Sequence, residues 1–189
     1  MKQFFFLCAC LMAWTGLHGQ APEKPIPLSV GYFGPYGVRP GLKVGVRHGI
    51  KSWEAESADY KSRQLFFQPQ IGTFFYPRNH FSFVLEADGG IVLKNQNTGW
   101  YTAYSVGLGY LTEFAITSVS IDLGTASQGQ KTREFRGYLL TVGNFEFGKS
   151  VSERWGWFVK LTGGRRFTTR IENALFVAVE IGAIINIGK

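Results

Sequence analysis

Cysteine is nearly absent from the 189 residues, and the two that occur, Cys8 and Cys10, both lie in the first ten positions. A disulfide framework, a thiolate nucleophile and a zinc site of Cys and His are therefore excluded from the rest of the chain. Histidine is scarce too, with only His48 and His80 beyond residue 20. The scattered carboxylates specify no other metal, so neither metal nor cofactor is expected. No GxSxG, HExxH or phosphate-loop pattern occurs. Charged residues make up only 17% of the chain. Its longest apolar run without a charge, Phe4 to Leu17, falls short of the roughly 20 residues that a membrane-spanning helix needs.

That short run follows Lys2 and precedes small residues, which is the form of a secretory leader, residues 1–20, cut near 19–21. Beyond it, twenty basic residues less Lys2 against thirteen acidic ones leave a charge of +6. Export makes nucleic acid an unsuitable partner for this basic balance, and points to anionic surroundings. Residues 21–37 are rich in Pro and Gly and read as a lead-in, although "LSVGYFG" is compatible with an additional strand over 28–34.

Glycine, with 24 residues, and aromatics, at 16%, are abundant and spread along the chain, as in a protein of many strands and turns. The C-terminal run "ALFVAVEIGAIINIGK" shows why. Taken alternately, Leu175, Val177, Val179, Ile181, Ala183, Ile185 and Ile187 form an unbroken apolar row, and Glu180 and Asn186 fall on the other face. A helix would set Glu180 among the apolar residues, so the run is a strand. The same two rows recur in "GLKVGVRHGI", "HFSFVLEADGGIVLK", "YSVGLGY", "SVSIDLG" and "WGWFVKLTGG". They fit less well in "LFFQPQIGTFFY", where Pro69 is awkward in a ladder, and "FRGYLLTVGNFEF" has no clear faces. Eight candidate strands without an intervening helix imply an all-β fold, a single antiparallel up-and-down barrel over residues 38–189.

A soluble barrel points its apolar row inward, whereas a membrane barrel points it at lipid. The polar rows here carry glycine, serine and isolated charges of both signs: Lys43, Arg47 and Lys160 against Glu86, Asp88, Asp122 and Glu180. That suits a narrow lumen better than a water-facing surface, so the membrane arrangement is preferred to a soluble lipocalin-like carrier. Two aromatic girdles are expected. One holds Phe74, Phe75, Tyr76, Phe81, Tyr110, Phe145, Phe147, Trp155 and Trp157, the other Trp100, Tyr101, Phe135, Tyr138, Phe167 and Phe176.

With its leader, alternating strands and unequal loops, the chain resembles the small eight-stranded outer-membrane barrels of Gram-negative bacteria, of the OmpA/OmpX-like kind. The resemblance implies a multi-pass outer-membrane protein in contact with lipopolysaccharide, inserted by the outer-membrane assembly machinery and able to meet other envelope proteins. It places the termini and short turns in the periplasm and residues 51–64, 94–99, 126–134 and 167–173 outside. One departure is the ending Ile187-Gly188-Lys189, where many such barrels carry an aromatic residue.

Three functional readings follow. The lumen charges either line a channel or pair with one another and plug the barrel, and eight strands favour the plug, with Glu180 meeting Lys43, Arg47 or Lys160. Arg165, Arg166 and Arg170 are candidates for lipopolysaccharide phosphates, with solubilising loop charge as the alternative. His80, Ser82, Glu86 and Asp88 share one face, and some outer-membrane lipid-A deacylases use a His-x-Ser pair with an acidic partner. That face points into the lumen, away from a lipid substrate, and His80 follows a short turn expected at the periplasmic end. A non-enzymatic barrel is thus preferred to a lipid-modifying enzyme.

Overall fold

Among the described residues the alternating rows fold into nine antiparallel strands: β1 (Ile26–Pro35), β2 (Gly41–Val46), β3 (His48–Trp53), β4 (Lys61–Tyr76), β5 (His80–Asn95), β6 (Trp100–Ile121), β7 (Gln128–Ser150), β8 (Trp155–Phe167) and β9 (Ala174–Ile187). The structure, a computed structural model, describes residues 26–37, 39–53, 61–76, 80–121, 128–167 and 174–187. The leader and Asp122 lie outside these residues.

β1 pairs with β2, β3 to β9 pair in succession, β9 closes on β1, and β2 pairs with β4 as well as with β1, so the sheet is a closed ring. β2 and β3 keep one register on β4, with Gly45 opposite Gln70 and His48 opposite Phe67. They are therefore two halves of one strand interrupted at Arg47, and the ring has eight strand positions. Pro69, which has no N–H to give to a ladder, falls opposite this gap, and the Arg47 N–H bonds the Pro27 carbonyl instead at 2.9 Å.

The expected count of eight is thus correct, but the strands differ from those expected. "YSVGLGY" and the start of "SVSIDLG" belong to one strand, β6, which runs through Thr112-Glu113 without a turn. The missing strand is Ile26–Pro35, inside the segment read as a lead-in. It pairs with β9 over its whole length, from Ile26 with Ile187 to Pro35 with Ala178.

This reassignment changes the ends. Ile26, Ile187, residues 94–99 and the adjoining parts of 51–64 lie at one end, called the terminal end here. Phe167 and residues 128–134 lie toward the other, distal end, so the described parts of the four segments expected on one side divide between two. At the distal end β6 and β7 extend past their neighbours: β5 stops at His80 opposite Ala115, and β8 stops at Phe167 opposite Leu139.

The apolar row faces outward. Leu175 is 66% exposed, Leu108 63% and Val106 73%, while Lys43, Glu86, Asp88, Lys160 and Glu180 are buried. Such a wall is stable in lipid and a liability in water, so the barrel is a membrane-spanning one.

Candidate functional site: the lumen

On β4 and β5, inward side chains change character twice. On β5, apolar Val84 is followed by Glu86 and Asp88 and then by Val92; on β4, Phe74 gives way to Gln70 and Gln68 and then Phe66. Around the ring this builds three layers. A distal apolar cluster holds Phe33, Phe74, Val84, Leu111, Leu140, Val142, Phe176 and Ala178. A terminal-end cluster holds Phe66, Val92, Tyr101, Ala103 and Phe158, with Ile184 against it. Among the described residues, the buried charges lie between them.

The middle layer holds two bonded groups, one around Lys43, Lys160 and Asp88 and one around Arg47. Lys43 Nζ donates to Glu86 Oε2 at 2.9 Å and lies 3.9 Å from Glu180 Oε2. Lys160 Nζ stands 2.9 Å from Glu180 Oε2 and donates to Gln70 Oε1 at 2.7 Å. Arg47 holds both oxygens of Glu146 through Nη2, at 2.9 and 2.7 Å, and its Nε donates to Gln68 Oε1 at 2.9 Å. Asp88 Oδ2 accepts from the side-chain amides of Gln70 and Asn144, at 2.5 and 2.9 Å, and Thr162 donates to Asn144 at 2.6 Å. Two cations tie this layer to its neighbours: Lys43 lies over the Phe33 ring at 4.9 Å and Arg47 over Phe66 at 4.7 Å.

Of the residues expected in this layer, Lys43, Arg47, Glu86, Asp88, Lys160 and Glu180 are in it. Glu180 meets Lys160 and Lys43 and not Arg47, whose carboxylate partner is Glu146. The sequence reading missed Glu146 because it lies in the segment whose faces stayed unassigned; the alternation of Asn144 and Glu146 with Phe145 and Phe147 was the available signal. Gln68 and Gln70 on β4 are further members: Gln70 joins Lys160 to Asp88, and Gln68 joins Arg47 to Ser29.

The girdles also regroup. Phe74, Tyr101 and Phe176 are inside the barrel. Outside, Trp100 stacks on Phe147 at 4.9 Å and meets Trp157 edge-on at 5.5 Å near the terminal end. Phe75, Phe81, Phe114 and Phe135 form a chain of ring contacts 5.1 to 6.4 Å apart near the distal end.

Arg165 and Arg166, adjacent on β8, point to opposite faces. Arg166 turns inward, 3.1 Å from Glu113 and over the Tyr138 ring at 5.2 Å, whereas Arg165 is exposed on the outer wall. Arg170 lies outside the described residues. Ser82 is buried in the lumen while Phe81 and Phe83 face outward. His80 opens β5 at the distal end, opposite the termini, and its side chain is not among those described.

No protein-family pattern and no curated protein matches the chain in sequence. Solved structures match it in fold. The outer-membrane enzyme PagL is 12% identical with a TM-score of 0.55, over 87% of this chain and 100% of that one. Neisserial surface protein A is 9% identical with a TM-score of 0.55, over 86% and 96%. Ail, the attachment invasion locus protein of Yersinia pestis, is 10% identical with a TM-score of 0.46, over 87% and 100%. The fold is that of the small outer-membrane β-barrels, and a likeness at this identity shows the fold alone.

Proposed function

We propose that the chain is a non-enzymatic integral protein of the bacterial outer membrane, with a plugged lumen, acting through its lipid-facing and distal surfaces. The observation that carries this reading is the layered interior, in which paired charges lie between two apolar clusters. A water-filled pore needs a continuous polar path, and both clusters interrupt one. Reconstituted into a planar bilayer, the purified barrel is expected to show no unitary conductance; discrete ion-sized steps would overturn the plug.

The non-enzymatic reading rests on Ser82, whose hydroxyl is buried in the lumen where a lipid substrate has no access. His80 lends it no support, since it stands at the distal end rather than beside the termini. Lipid A mass spectra from cells with and without the gene are expected to be identical, and a lost acyl chain would favour the enzyme.

The reading includes insertion by the outer-membrane assembly machinery and an orientation, with the terminal end periplasmic and the distal end outside. Because the mature chain lacks cysteine, single cysteines report on it cleanly. Gly37→Cys, in the distal turn after β1, should be labelled by an impermeant maleimide on intact cells, and Ser152→Cys, in the turn before β8, should not.

A further inference from the structure

The lipid-facing wall is not uniformly covered. Gly163, Gly143, Val106, Gly89 and Phe67 are successive cross-strand partners from β8 to β4, one row at right angles to the strands. A Cβ at Gly89 or Gly163 would meet no atom within 4 Å, and one at Gly143 only the Gly163 carbonyl at 3.9 Å. The side-chain layer is therefore missing at the three glycines of this row, leaving a trough of about 810 Å³ open to the outside.

Arg165 lines the distal end of that trough. It lies two residues from Phe167, a step of about 6.6 Å along a strand, on the bilayer side of the distal aromatic residues. Among the described residues Arg165 forms no ion pair, and no outward-facing strand position carries Asp or Glu. A guanidinium on a lipid-facing wall is costly unless an anion meets it. A second copy of this wall would bring another arginine and no carboxylate. A phosphorylated lipid brings both missing parts, a chain for the trough and a phosphate that guanidinium binds bidentately.

We propose that the trough seats one acyl chain of lipid A, with a lipid A phosphate on Arg165. The inference deepens the surface reading above and rests on its orientation, which puts Arg165 in the outer leaflet.

The test is retention of lipid by the purified barrel in phosphatidylcholine nanodiscs doped with lipid A or with phosphatidylglycerol, read by native mass spectrometry. The wild-type barrel should retain lipid A over phosphatidylglycerol. Arg165→Ala should lower retention about tenfold, the loss of one charged contact. Gly143→Leu, which fills the trough and leaves Arg165 in place, should lower it similarly. Both variants must still shift on a heat-modifiability gel, and Gly163→Leu serves if Gly143→Leu does not fold. Unchanged retention in folded variants would overturn the site. Equal retention of phosphatidylglycerol would overturn the lipid A assignment, and the cysteine labelling then shows whether a reversed orientation is the reason. A dimer mass abolished by Gly143→Leu would make the trough an interface between copies and overturn the lipid seat.

Discussion

Lys160 and Glu180 are direct cross-strand partners on β8 and β9, with Nζ 2.9 Å from Oε2, both buried inside the barrel. Lys43 approaches the same oxygen to 3.9 Å from β2, across β1, where the intervening inward position is Gly31. A Cβ at Gly31 would stand 3.1 Å from the Glu180 Cγ, so the glycine leaves Glu180 its room. One carboxylate thus links both sides of the seam where the last strand meets the first.

Removing it should be expensive. Glu180→Leu leaves Lys160 without its carboxylate in a low-dielectric interior, a change that costs about 3–5 kcal/mol when one partner of a buried pair is lost. The unfolding temperature of the detergent-solubilised barrel should fall, and an unchanged melting curve would count against the pairing.

Arg47 and Glu146 make the second pair, and a double-mutant cycle should separate its parts. Arg47→Met and Glu146→Leu should each destabilise strongly, and together they should cost less than the sum, because neither then leaves an isolated charge. Additive losses in urea unfolding would show that the two do not interact.

Asp88 and Glu86 lie two residues apart on β5 but have different partners. Glu86 accepts from an ammonium, whereas Asp88 accepts from two neutral amides. With Glu86, Glu146 and Glu180 already matched by Lys43, Arg47 and Lys160, the neutralising change Asp88→Asn should lower the melting temperature less than Glu86→Gln does. The reverse order would mean that Asp88 is the stronger partner of the cations.

Glycines on the two faces should differ. A Cβ at Gly107 would collide with Asp88 Oδ1 inside the lumen, whereas one at Gly89 meets nothing outside. Gly107→Ala should destabilise by about 1–3 kcal/mol, the usual cost of overpacking, and Gly89→Ala should stay within about 0.5 kcal/mol of wild type. Equal effects in equilibrium unfolding would contradict the assignment of faces.

Much of this architecture was legible in single segments. Leu175, Val177, Val179 and Ile181 against Glu180 define a strand with two unlike faces, and the sparse, mixed charges of the polar row identify which face is inside. Those are local properties, set by a side-chain period of two within a dozen residues. The lumen members Lys43, Arg47, Glu86, Asp88, Lys160 and Glu180 follow from them.

What stayed illegible depended on other strands. The polar pair Thr112-Glu113 looks like a turn, yet neighbours on both sides carry β6 straight through it. Residues 26–35 have three Pro and Gly residues in their last five and resemble a linker, until ten partners on β9 make them a strand. These two errors cancel in the strand count but not in the ends, because each extra crossing reverses the direction of all that follows. So His80 and residues 51–64 exchanged sides.

The sequence by itself determined that this chain is a barrel turned outward to lipid, because alternation and composition act residue by residue. Only the tertiary structure decided that Glu180 answers Lys160, that Arg47 answers Glu146, and that Gly89, Gly143 and Gly163 align into one trough. Those relationships are set by the register between strands, and register is fixed by closure of the whole ring rather than by any strand within it.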